Sequence, residues 1–290
     1  MPPTVPQSDE LPHSLVVSLP AGHVVVRYSR LKTLQVEAER ICESLEEHKN
    51  GNQWIVVVGL PPHIISKLDG DERGSLGTDY RFQWDGSVGL IKVTLSAAHN
   101  ITTRAATSVI QDCLYEMGMQ RKNHFWARNT TYKSRHDRGK VADQIFIPRS
   151  RIQRPRFPDW PTPGWPTFAI ETGVSQSLPR LREEAKWWFD SSNGDVRIAL
   201  LIALGKTKVS FELWQLGLMD CSRPLRPTTQ QQTRSHHPHL VQEVSVTSNC
   251  VVGAPMEIPF AALFNQLPGP GQRDIVISDE GFRDITDLVV

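Results

Sequence analysis

The 290-residue chain is 39% hydrophobic and carries a formal net charge of +1, so it can bury one large core or two modest ones and is neither a polycation nor a disordered acidic tail. Cys42, Cys113, Cys221 and Cys250 are widely spaced and form no C-x-x-C pair, which excludes a small secreted disulfide scaffold and implies reduced thiols. The opening MPPTVPQSDELPHS lacks the basic and apolar regions of a secretory signal, and no stretch holds the ~18 apolar residues of a membrane span. An intracellular protein, cytoplasmic or nuclear, is expected.

Residues 1–13 are proline-rich, polar and expected to be disordered. LVVSLPAGHVVVRY then reads as two short β segments around a Pro-Ala-Gly-His turn. Leu31, Leu34, Ala38, Ile41 and Leu45 recur at helical spacing and predict a helix over 31–48. Trp54 to Val58 is a buried strand, and Tyr80 to Trp84 with Val88 to Leu95 flank the hairpin signal Asp85-Gly86. Residues 14–95 thus form an N-terminal α/β segment that packs with the core.

A core over 96–216 follows. Val109, Ile110, Cys113, Leu114 and Met117 stripe a helix from Asn100 or Thr102 to about Met117. Phe125 to Tyr132 and Ala142 to Ile147 are a strand pair joined by SRHDRGK. After the proline-dense RSRIQRPRFPDWPTPGW comes a strand from Thr167 to Glu171. Ser177 caps a helix whose Leu178, Leu181, Ala185, Trp188 and Phe189 face the sheet, and Asn193-Gly194 ends it. Val196 to Leu204 suits a central strand covered on both faces, and Lys208 to Trp214 alternates as a half-exposed one, with Ser210, Glu212 and Trp214 outward. Residues 217–290 are a C-terminal extension with a polar loop over about 221–240, short strands near 241–251 and 274–278, and a small helix around Phe260 to Phe264.

The order helix, strand, strand, strand, helix, strand places Asp143 in KVADQIFIPR and Glu171 in WPTFAIETGVSQS on neighbouring strands, with Lys186 in LPRLREEAKWWF on the next helix. With NGDVRIALLIAL, these segments resemble the restriction-endonuclease-like PD-(D/E)XK superfamily, most nearly its uncharacterised fungal members and more remotely bacterial members whose lysine has moved from strand to helix. The resemblance spans roughly residues 54–216. It implies an α/β fold with a central mixed sheet flanked by helices, plus N- and C-terminal additions. It further implies Asp143 and Glu171 as metal ligands and Lys186 as the migrated lysine. The superfamily's in-strand lysine position is Gly173, which leaves room for a side chain from the helix.

Two carboxylates in one partly desolvated place repel unless a cation enters, and hard oxygen ligands suit Mg2+ or Mn2+. The carbonyl of Thr172 is a further candidate ligand. Such an ion activates a water for phosphodiester hydrolysis, with Lys186 orienting it or countering developing charge. The expected partner is nucleic acid, DNA in the first instance. From Gln120 to Arg156, eleven lysines and arginines stand against Asp137 and Asp143, a local charge of about +9. Arg128, Lys133, Arg135, Arg138, Lys140 and Arg149 are the phosphate-contact candidates, with Trp126, Trp160 and Trp165 available to stack on bases.

Competing readings exist for each residue. Asp143 can take a turn amide or an arginine, Lys186 can be an exposed helix lysine, and the charge run can be a solvated surface. His236, His237 and His239 lack further ligands at zinc spacing. The alternative function is a catalytically inactive member kept as a nucleic-acid or protein interaction module.

Overall fold

Charged residues interrupt several of the apolar strands, and the topology brings those interruptions to one place between two mixed sheets. The computed structural model describes residues 11–48, 51–70, 73–94, 97–128, 130–134, 138–152, 164–174, 177–217 and 237–289. A one-turn helix α1 (His13–Val16) is followed by β1 (Val24–Arg27), α2 (Leu31–His48), β2 (Trp54–Val58), α3 (Pro62–Asp69), β3 (Tyr80–Asp85) and β4 (Val88–Val93). Next come α4 (Ala98–Glu116), β5 (His124–Ala127), β6 (Thr131–Lys133), β7 (Arg138–Val141), β8 (Gln144–Pro148), β9 (Phe168–Val174), α5 (Leu178–Ser191), β10 (Ile198–Leu204) and β11 (Val209–Leu216). The chain closes with β12 (Pro238–Val246), β13 (Val251–Val252), β14 (Met256–Ile258), α6 (Phe260–Phe264), β15 (Ile275–Ile277) and α7 (Asp279–Thr286).

The first sheet has the order β1-β2-β4-β3-β7-β6, with β1 parallel to β2 and the other neighbours antiparallel. The second runs β13-β12-β11-β10-β9-β8-β5, with β9 parallel to β10 and the rest antiparallel. This is the α/β class with mixed sheets flanked by helices that the sequence predicts. Because side chains alternate along a strand, β10 buries Ile198, Leu200, Ile202 and Leu204 toward α4 and the C-terminal elements, and Ala199, Leu201 and Ala203 toward α5. Phe282 of α7 meets Phe211 edge-on with ring centres 4.9 Å apart, so the C-terminal elements complete this core. Each such Ile, Leu or Phe side chain stabilises the fold by roughly 1.5–3 kcal/mol. The first sheet packs α2 and α3 on one face, and Leu15 of α1 against Trp54 on the other.

Several local expectations are corrected. Residues 13–16 form a helical turn instead of a strand, and the buried Arg180 donates to the carbonyls of Ser14 and Val17 there. The run from Phe125 to Tyr132 is two strands. β5 pairs with β8 in the second sheet, while β6 and β7 form a hairpin that extends the first sheet through β3. Gly139 makes that crossing feasible, since a Cβ there would lie 2.0 Å from the Trp84 ring. Ser177 precedes α5 without capping it; its hydroxyl donates to Gln53 Oε1 and accepts from Trp54 Nε1, both at 3.2 Å. Glu212 is fully buried rather than outward, held by Arg182 and by Trp214 Nε1. Helix α7 was not anticipated; Ser278 caps it, accepting from Gly281 N at 3.2 Å.

Cys42, Cys113 and Cys250 are free, and no helix among the described residues is long and apolar enough to cross a membrane. Arg135, Trp160, Cys221 and His236 lie outside the described residues, as do residues 1–10 and most of the 221–240 loop.

Candidate functional site

Strand β8 begins at Gln144, which pairs with Ile170, so the second half of β9 has no β8 partner along that edge. Its exposed amides would be costly if left bare. Side chains satisfy them: Thr172 N donates to Asp143 Oδ2 at 2.9 Å, and Val174 N donates to Gln53 Oε1 at 3.0 Å. Asp143 is 0% exposed and serves first as the continuation of a broken ladder.

The first sheet then delivers cations to the same place. Lys92 of β4 donates to Asp143 Oδ2 at 3.0 Å, and its Nζ also lies 3.7 Å from Glu171 Oε2 and 3.9 Å from Glu184 Oε2. Arg81 of β3 pairs with Asp143 Oδ1 through Nε at 2.9 Å. Lys140 of β7 sits 3.0 Å from Glu171 Oε1 and 3.2 Å from Glu184 Oε2. Trp188 Nε1 donates to Glu171 Oε1 at 2.7 Å, and Arg180 of α5 is 3.9 Å from Glu184. Indole faces support the cations: Lys92 and Arg180 lie over Trp54, and Lys140 over Trp188. His99, in the first turn of α4, brings Nε2 within 3.0 Å of Asp143 Oδ2 and 3.1 Å of the Thr172 carbonyl. Facing two acceptors, that nitrogen carries the proton.

Asp143 and Glu171 therefore converge on one ammonium group. Lys186 does not join them. Its Nζ is 2.6 Å from Glu183 and its side chain is 45% exposed. The expected space at Gly173 is filled instead, since a Cβ there would meet Leu181 at 3.3 Å and Gln53 at 3.4 Å. Helix phase explains the swap: Arg180, Leu181, Glu184, Ala185 and Trp188 form the inward stripe, so the helix sends Glu184 inward and Lys186 outward.

The phosphate-contact candidates separate. Lys140 is buried in the cluster and unavailable to a backbone phosphate. Arg138 pairs with Asp85 at 2.8 Å, and Lys133 is exposed over the Trp84 ring and 3.9 Å from Asp69. Arg128 and Arg149 are exposed, the latter over Phe125. Trp126 packs on Phe146 and Phe168, and Trp165 joins Tyr132, Trp187 and Trp188, so both belong to aromatic clusters. Glu116 is exposed and outside the site.

Burial alone would raise the Asp143 carboxyl, but His99, Lys92 and Arg81 hold it well below the usual carboxylate range. Glu184 is likewise buried yet lowered by Lys140, Lys92 and Arg180. Glu171 goes the other way: burial dominates, Glu184 and Asp143 add repulsion, and Lys140 and Lys92 only partly offset them, so it is pushed up to about 7. A raised folded-state value means that the native protein holds this proton more tightly than the unfolded chain. That contribution to stability is complete below the ordinary value of 4.5 and is lost as pH rises through about 7. Asp143 and Glu184 contribute oppositely, their stabilisation disappearing as pH falls below the ordinary carboxylate range. Glu171→Gln, which keeps an acceptor for Trp188, is expected to remove the stability decline between these two values. Urea midpoints at a series of pH values for both proteins check this; parallel profiles would contradict it.

A divalent ion does not fit this arrangement. Asp143 Oδ2 is shared by Lys92, His99 and Thr172 N, Oδ1 is ion-paired with Arg81 Nε at 2.9 Å without a hydrogen bond, and the Thr172 carbonyl is taken by His99. Lys92 Nζ stands where a cation bridging Asp143 and Glu171 would stand. The adjoining cavity, lined by Arg81, Lys92, Lys140, Glu171 and Glu184, measures ≈ 10 Å³. That is room for about one water, whereas Mg2+ keeps several. Among the described residues, no three His, Cys, Asp or Glu side chains gather as metal ligands.

No family model and no curated protein matches the chain. A solved structure of a DUF820 protein from Anabaena variabilis ATCC 29413, described as a candidate nuclease, is similar to it at 13% identity and a TM-score of 0.41, over 72% of this chain and 91% of that one. A likeness of that size leaves the site to be judged on its own geometry.

Sequence reasoning reached Asp143 and Glu171 but missed Arg81, Lys92, His99, Arg180 and Glu184. The signals were present: a lysine inside the apolar strand VGLIKV, and an Arg–Glu pair four apart within the apolar stripe of α5.

Proposed function

We propose that this chain is a restriction-endonuclease-like module that engages nucleic acid while its acid cluster is neutralised by its own side chains, a non-cleaving member of the PD-(D/E)XK superfamily. The observation that carries this reading is Lys92 Nζ, bonded to Asp143 and within 4 Å of both Glu171 and Glu184. Arg81, Lys92, Lys140 and Arg180 already counter the three buried carboxylates, so no charge is left for a metal to balance. Exposed Arg121, Lys122, Arg128 and Arg149 supply the positive surface that attracts a phosphate backbone.

A second reading, Mg2+- or Mn2+-dependent hydrolysis of phosphodiesters at Asp143 and Glu171, is favoured by the convergence of those two acids on one ammonium. It requires Lys92 to leave the position the ion would take. Labelled single- and double-stranded DNA incubated with the protein and either metal separates the two readings. Salt-sensitive binding without cleavage is expected. Metal-dependent cleavage that is lost in Asp143→Ala would replace the first reading with the second.

A further inference from the structure

Beside the buried acids, Asn100 and Asp143 hold two arginines, Arg128 from the end of β5 and Arg81 of β3, and a third, Arg104, lies on α4. Arg128 donates through Nη2 to Asn100 Oδ1 at 2.6 Å. Arg104 stands one turn further along α4, on the same face as Asn100, and has neither an acid nor a hydrogen-bond partner among the described residues. Arg81 completes the group: Nε pairs with Asp143 and Nη1 donates to the Tyr80 carbonyl. His99, the neighbour of Asn100, ties the same carboxylate to the start of α4, which has no side-chain cap and presents the positive end of its dipole there. Among the described residues, Asp143 is the acid in an ion pair with this group, and it is shared with Lys92, while Asp79 acts on Arg128 from farther off.

Three like charges gathered over one shared counter-charge repel, and an anion relieves that repulsion. Arg128 sits on Asn100, one helical turn from Arg104; burial lowers Arg128, Arg81 and Arg104 lower it further, and Asp143 and Asp79 oppose them. We infer that Arg81, Arg104 and Arg128, with Asn100 between them, form an anion site that holds one phosphate group of a nucleic-acid backbone. Planar guanidinium forks suit the tetrahedral oxygens of phosphate. The inference rests on the nucleic-acid reading above for the source of the phosphate, whereas the site itself needs only the anion.

The test pairs two probes with two variants. Arg104→Ala/Arg128→Ala removes two exposed members of the site, and Lys206→Ala/Lys208→Ala removes the same charge elsewhere on the surface. A fluorescently labelled oligonucleotide is titrated by anisotropy, and inorganic phosphate is scored by its effect on Tm at fixed ionic strength. The site variant is expected to bind the oligonucleotide about tenfold more weakly and to reduce the salt slope by about 2, while the control variant keeps both. Phosphate is expected to raise Tm in the wild type and in the control variant and to leave the site variant unmoved. A phosphate effect confined to proteins with the intact triad, with oligonucleotide binding absent throughout, keeps the anion site and overturns the nucleic-acid reading. Equal losses in the two variants, or a site variant that behaves as wild type toward both probes, overturns the proposal.

Discussion

Asp143→Ala is expected to destabilise the protein by about 3–5 kcal/mol, because it strands two buried cations and two N–H donors at once. Lys92, Arg81, His99 Nε2 and Thr172 N all converge on this carboxylate, which is fully buried. The sign of the effect is informative. In an open metal site lacking its ion, removing one of two repelling acids relieves strain and stabilises the protein; in a cluster closed by its own lysines, it exposes unpaired charge. Urea unfolding, with a lower midpoint at unchanged m, is the check. A variant as stable as the wild type, or more so, would mean that the acids repel across an open site.

Lys92→Met keeps most of the apolar stem and removes the ammonium together with its contact over the Trp54 ring, so its effect isolates the charge. The loss is expected to be of the same size, about 3–5 kcal/mol, since Asp143, Glu171 and Glu184 then face one another with one fewer cation. Combining Lys92→Met with Asp143→Ala removes both ends of the bond, and the double variant is expected to lose less than the sum of the singles by about 0.5–3 kcal/mol. Additive losses would show that the two residues act independently.

Local pattern was legible where one strand or helix decides its own burial. Trp54–Val58, Leu31–His48 and Phe260–Phe264 are found as predicted, and β10 is central because both of its faces are apolar. The two acids were legible for a related reason: a carboxylate beside Phe168, Ala169 and Ile170 has to be paired with something. Its partner was not legible. Lys92 and Asp143 are 51 positions apart in the chain and meet because the β6–β7 hairpin leaves the second sheet to extend the first, a crossing that residues 125–141 do not announce. The lysine expected on α5 was misplaced by helix phase, one position past the inward Ala185. Glu212 misled in the same way, because alternation alone placed it outside while Arg182 and Trp214 allow it to lie buried.

Diffraction from crystals equilibrated with Mn2+, with anomalous maps calculated at the cluster, shows whether Lys92 or a metal ion neutralises Asp143 and Glu171. Lys92 Nζ is expected on Asp143, with no anomalous density between Asp143 and Glu171. A peak bridging those two carboxylates, with Lys92 swung away, would contradict that expectation and make the site a metal centre.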